Sequence, residues 1–117
     1  MRGINKVTLV GTLGSDPIIR TASNGAQFAN FAVATSEAWQ DKQTGEWREH
    51  TEWHRIVARA KMAEYVAKNL KKGNKVYLEG SLNTRSWTDE QKIERYVTEI
   101  RLQTYQRLDT TAMTTPV

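Results

Sequence analysis

TEWHRIVARAKMAEYVAKNLKKGNKVYLEG, residues 51–80, changes its hydrophobic period twice. In residues 51–59 side chains alternate, as they do on a strand. Thr51, Trp53, Arg55, Val57 and Arg59 share one face, and Glu52, His54, Ile56 and Ala58 share the other. Met62, Val66 and Leu70 then recur at a spacing of four, which predicts a short amphipathic helix within KMAEYVAKNLKKG (61–73). Glu64 and Lys68 are placed for a favourable pair, Lys71 and Lys72 suit the helix C-terminus, and Gly73 is placed for its cap. Alternation resumes at Lys75, with Val76, Leu78, Gly80 and Leu82 opposed to Tyr77, Glu79, Ser81 and Asn83.

Strand patterns also flank this unit. NKVTLVGTL (5–13) alternates, with Gly11 as a candidate bulge or bend. After the turn signal SNG (23–25), QFANFAVAT (27–35) is a second strand. Residues 36–50, SEAWQDKQTGEWREH, read as a long polar ribbon or loop tipped near Gly45. SWTDEQK (86–92) reads as a polar turn, and 93–108 as a long last strand with less regular alternation. The predicted fold is therefore mainly all-β. Three strands, one short helix and two strands give the order of a five-stranded OB-fold Greek-key barrel, with the helix between strands 3 and 4. A small α+β sheet with one covering helix is the alternative. The domain is predicted over 1–108, with a frayed segment at 109–117.

The chain has 117 residues and a net charge of +4. The charge is local: residues 53–75 hold seven bases and one acid, as an electrostatic footprint for nucleic acid requires. Without cysteine, no disulfide, thiolate metal site or thiol nucleophile can form. No secretory signal or membrane-length apolar run is visible, so a soluble protein of the cell interior is expected.

Candidate site residues follow from the faces. Ile56 and Ala58 suit a core. Arg55 and Arg59 cannot be buried unpaired at tolerable cost, so the Trp53 face points outward. An exposed Trp between Arg residues suits stacking on bases with pairing to phosphates; an anchor for a subunit contact is the alternative. Trp39, in the polar segment, and Trp87, beside Arg85, also fall outside the apolar periods, as does Trp47 near the ribbon tip, where a hairpin Trp often packs only across its own ribbon. Stacking and phosphate pairing are both blind to sequence, so a binder of single strands is expected.

Catalysis has little support. His54 lies on the inward or interface side, where a hydrogen-bonded structural His is the better reading than a general base. Asp89, Glu90 and Glu94 could imitate a metal-binding cluster for a nuclease, but solvated turn acids explain them better. GTLG (11–14) lacks the ending of a phosphate-binding P-loop. No cofactor and no metal are expected. A protein-assembling OB module, with DNA binding secondary, stays open.

Five stretches together resemble the bacterial-type single-stranded DNA-binding protein family, chromosomal, plasmid or phage: GINKVTLVGTLGSDP (3–17), ATSEAW (34–39), TEWHRIV (51–57), LKKGNKVYLEG (70–80) and TRSWTD (84–89). The resemblance implies an OB fold, a homotetramer that wraps single-stranded DNA, and a role in replication, recombination and repair in the bacterial cytoplasm or nucleoid. It implies stacking at Trp39, Trp53 and Trp87. It places basic contacts at Arg55, Lys61, Lys72 and Arg85, with Lys6 and Lys42 as further candidates, and subunit contacts at His54 and Tyr77. Where relatives usually carry an aromatic, two residues past Val57, this chain has Arg59, which exchanges stacking for an ionic contact. Relatives commonly continue to an acidic tip that docks replication and repair proteins. These residues end at TTPV, so that docking is left open.

Overall fold

The computed structural model describes residues 1–109; of the frayed segment predicted at 109–117, Asp109 is described, accepting hydrogen bonds from Asn74 and Arg107, and 110–117 lie outside the described residues. The elements are β1 (Val7–Leu13), β2 (Ile18–Thr21), β3 (Gln27–Gln40), β4 (Trp47–Arg59), α1 (Lys61–Asn69), β5 (Lys75–Thr88) and β6 (Glu94–Arg107). Their order in the sheet is β1-β5-β6-β4-β3-β2, and β1 also pairs with β3. That second pairing, Thr12 with Ala34 and Leu13 with Val33, closes β1, β5, β6, β4 and β3 into a barrel. The seam opposite is short and parallel, Ile56 with Ile100 and Val57 with Arg101.

The fold is the expected OB barrel with one helix. An added strand, β2, lies along the outer edge of β3, from Ile18 opposite Asn30 to Thr21 opposite Gln27. The helix therefore falls between β4 and β5 in chain order, not between the third and fourth strands. Four residues without clear alternation did not mark β2 in the sequence.

Gly11 is not at a bulge: it pairs with Val76 of β5, one residue before Thr12 pairs with both Lys75 of β5 and Ala34 of β3, and a Cβ there would strike the Ala34 carbonyl oxygen and the Val33 side chain. The bulge lies instead between β5 and β6. Glu79 pairs with Thr104 and Gly80 with Leu102, so Gln103 is the extra residue. It flips the faces of β6: Ile100 and Leu102 are buried, and beyond the bulge Tyr105 packs against the core. This explains the irregular alternation of 93–108.

The buried face of β4, Ile56 and Ala58, meets Phe31 and Ala29 of β3, their register partners. Val76 and Leu78 close the core from β5, and Val66 and Leu70 cover it from the helix region. Ala60 stands at the N-cap just before the helix with a φ of 56°, unusual for a residue with a Cβ, and no side chain caps the helix start. The helix ends at Asn69, because Leu70 turns extended to enter the core. Gly73 is thus not the helix cap. It has φ 91° in the following turn, and its N–H donates to the Leu13 carbonyl at 2.9 Å. Lys71 and Lys72 likewise lie past the helix.

Residues 36–50 form a ribbon rather than a loop: β3 and β4 stay paired out to Gln40 opposite Trp47. Of the segment 86–92, Ser86, Trp87 and Thr88 belong to β5, which stays paired with β6 out to Thr88 opposite Glu94, and the expected turn is confined to the residues between them. Leu82 shares a face with Val76 and Leu78 but is exposed, since it lies beyond Gly80, where the pairing of β5 with β1 ends.

Candidate nucleic-acid interface

Trp53, Arg55, Val57 and Arg59 stand on the outward face of β4, as the alternation requires, with Trp53 58% exposed. Their register partners on β3 are Ala34, Ala32, Asn30 and Phe28. The small Ala residues beside Trp53 and Arg55 leave a trough. The Trp53 ring lies over the backbone of Gly14, where any Cβ would overlap its six-membered edge. Gly14 is itself pinned by an N–H bond of 2.9 Å to the Ala32 carbonyl. A glycine thus sets the ring's height above the sheet.

From Trp53 the trough opens into a groove of about 810 Å³, lined also by Arg20, Arg55, Arg85 and Glu99. It continues past Phe28, Arg59, Asn83 and Arg101, and then to Gln27, Ser81 and Gln103. Among the described residues, Arg20, Arg55, Arg59 and Arg101 have no carboxylate within ion-pair distance. Arg85 differs. Its Nε donates to Glu99 Oε1 at 3.1 Å, and its guanidinium sits 5.3 Å from the centre of the Trp87 ring. Glu99 is buried and exposes only 8% of its surface. Arg85 neutralises that acid and braces Trp87.

The structure thus brings Trp53, Arg55, Arg59 and Arg85 together, with Trp87 beyond Arg85. Trp87 is on a strand, not in a turn, and shares a face with Arg85 and the groove wall. Trp39 is also on a strand, on the face opposite to that of Trp53, while Trp47 has the Trp53 parity and is more exposed, at 71%. The lysines stand outside the groove. Lys61 begins α1, Lys42 is at the ribbon tip, and Lys72 follows the helix, its N–H donating to Asp16 Oδ1 at 2.8 Å. Lys6 lies 3.6 Å from Glu79. Among the candidates for subunit contacts, His54 Nε2 lies 2.9 Å from Thr35 Oγ1, and the Tyr77 hydroxyl donates to Glu79. That bond and Lys6 hold the Glu79 carboxyl below its usual range, and Glu79 pushes the Tyr77 hydroxyl up.

The carboxylates near Asp89 are turn chemistry. Asp89 Oδ1 accepts from the N–H groups of Gln91 and Ile93, and Oδ2 accepts from Arg95 Nε at 3.0 Å. Both oxygens are occupied. No group of three or more His, Asp or Glu is gathered as a metal site among the described residues.

Sequence reasoning missed Arg20 and Arg101. Arg20 lies in the strand it did not find. Arg101 was within reach, because Ile100 and Leu102 point inward, and the logic that turned Arg55 outward turns Arg101 outward too.

A model of the single-strand binding protein family matches residues 4–108. Among solved structures, a Plasmodium falciparum SSB complex with ssDNA is similar at 36% identity and a TM-score of 0.82. The match covers 93% of this chain and 98% of that one.

Proposed function

This chain belongs to the single-strand binding protein family, and we propose that it binds single-stranded DNA without strong sequence choice. The observation that carries the reading is the groove itself. It joins an exposed Trp held against Gly14 to Arg20, Arg55, Arg59 and Arg101, which have no acidic partner among the described residues. A strand whose bases are unpaired offers both of their faces to Trp, and its phosphates release counterions to Arg. A duplex hides the faces of its bases. Neither device reads base edges, so discrimination among sequences is weak.

Trp53 is the central platform, Trp87 extends the path along the β5–β6 ribbon, and Trp39 and Trp47 serve the β3–β4 ribbon. Arg55, Arg59 and Arg85 line the groove, and Lys42, Lys61, Lys72 and Lys6 are outlying contacts. The groove holds the strand and needs no covalent step. The biological role is protection of unwound DNA in replication, recombination and repair. Assembly is with itself, as a tetramer with contacts at His54 and Tyr77.

Titration with oligo-dT tests the binding. Strong quenching of Trp fluorescence, with little response to a matched duplex, is expected; an equal response to both sinks the reading. Solution mass with and without a long oligo-dT tests the assembly. A dimer that occludes only a short segment would favour the protein-assembling alternative.

A further inference from the structure

Phe28 is an aromatic in an unusual setting. It is half-buried on the open face of β3. Its register partner on one side is Arg20 of β2, and on the other Arg59 of β4. Side chains directly opposite in an antiparallel ladder have Cβ atoms about 5 Å apart, so two guanidinium stems flank one ring. A third comes from β6: Arg101 is the partner of Val57, two residues from Arg59 along the same face. All four side chains line one recess of about 320 Å³, whose wall also holds Glu99 in its ion pair with Arg85. None of the three arginines has an acid within ion-pair distance among the described residues.

Burial alone does not explain this grouping. A core position would surround Phe28 with apolar groups, and three neighbouring cations repel one another unless an anion sits between them. A ring bordered by cations fits a ligand that carries a flat π-face with an anionic group on each side. That is one nucleotide in a chain. Phe28 and Arg59 also lie six residues along β4 from the level of Trp53, about 20 Å at strand rise. The recess therefore meets a different nucleotide from the one on Trp53.

We propose that Phe28 is a separate base-stacking platform, with Arg20, Arg59 and Arg101 pairing to the phosphates on either side of the stacked base. This rests on the proposed binding of single-stranded DNA and extends it to a second station in the groove.

The test is equilibrium binding of oligo-dT across a range of salt, with thermal unfolding of each variant alongside. Phe28→Leu keeps an apolar side chain but removes the π-face. It is expected to weaken binding about fivefold or more, with the salt slope unchanged. Arg59→Gln and Arg101→Gln are each expected to lower the slope of log K against log salt by about 0.7, one phosphate on a single strand. Lys68→Gln, on the exposed side of α1, is expected to change neither. If the Phe28, Arg59 and Arg101 variants all bind with wild-type affinity and slope while Trp53→Ala is weakened, the second station is overturned and strand binding stands. If the wild-type protein does not bind oligo-dT, the binding reading fails, and the station with it.

Discussion

At the scale of single residues, the site depends on side chains placed by what lies beneath or beside them. Trp53 presents its face because Gly14 has no Cβ. Trp53→Ala should cost about 1–3 kcal/mol of oligo-dT binding, read by titration, with thermal stability little changed. Gly14→Ala should do part of the same damage from beneath. The new methyl has to push the ring aside, so affinity falls by no more than for Trp53→Ala, while oligo-dT quenches less fluorescence. Glu99 works in the opposite sense. A buried acid is unfavourable by itself, and its bond to Arg85 commits that arginine to neutralising it and bracing Trp87. Arg59 has no such duty, which leaves its charge free for a ligand.

At the scale of elements, the two long ribbons are closed by the same device. Asp41 accepts from the N–H groups of Gln43 and Thr44 and from Arg48 Nε, and Asp89 accepts from Gln91, Ile93 and Arg95. The Gln43 N–H and Arg48 hold the Asp41 carboxyl below the usual 3.8. The Ile93 N–H and Arg95 do the same for Asp89. A depressed carboxylate stabilises the fold above its unfolded value, and the contribution is lost as pH falls through the lower folded value. Both ribbon tips should therefore hold near pH 5 and loosen below about pH 3.8. Amide exchange at the tips measures this, and Asp89→Asn should flatten the response of the β5–β6 tip alone. The helix start is a separate weakness. Ala60 holds φ 56° and ψ −129°, a region that suits glycine. Ala60→Gly should raise stability by about 1 kcal/mol, because the strain relieved outweighs the added entropy of the unfolded chain, and an unchanged or lower melting temperature would contradict this.

At the scale of the whole molecule, paired and unpaired arginines are distributed unevenly. Arg48, Arg95 and Arg107 are paired with acids away from the groove, Arg85 pairs with Glu99 on its wall, and Arg20, Arg55, Arg59 and Arg101, unpaired among the described residues, face it. If each of these four meets one phosphate, log K for oligo-dT should fall against log salt with a slope of roughly −3. A slope near zero would mean that they do not meet phosphates. Among the described residues no helix is long and apolar enough to cross a membrane.

Local alternation was enough to turn Trp53, Arg55 and Arg59 outward and to send Ile56 and Ala58 into the core, because the two faces of a strand differ in their cost of burying charge. The change of period at Lys61 was enough to find the helix and, with the strand order, the barrel. Three things depended on tertiary structure. The bulge at Gln103 reverses the faces of β6, and no local pattern counts residues on the opposite strand. The groove draws Arg20, Phe28, Arg59 and Arg101 from four strands, and their proximity exists only once the register is set. Gly14 supports Trp53 from 39 positions away in the chain. Periodicity reports which side of its own strand a residue occupies; what stands across from it is decided by strand pairing and barrel closure.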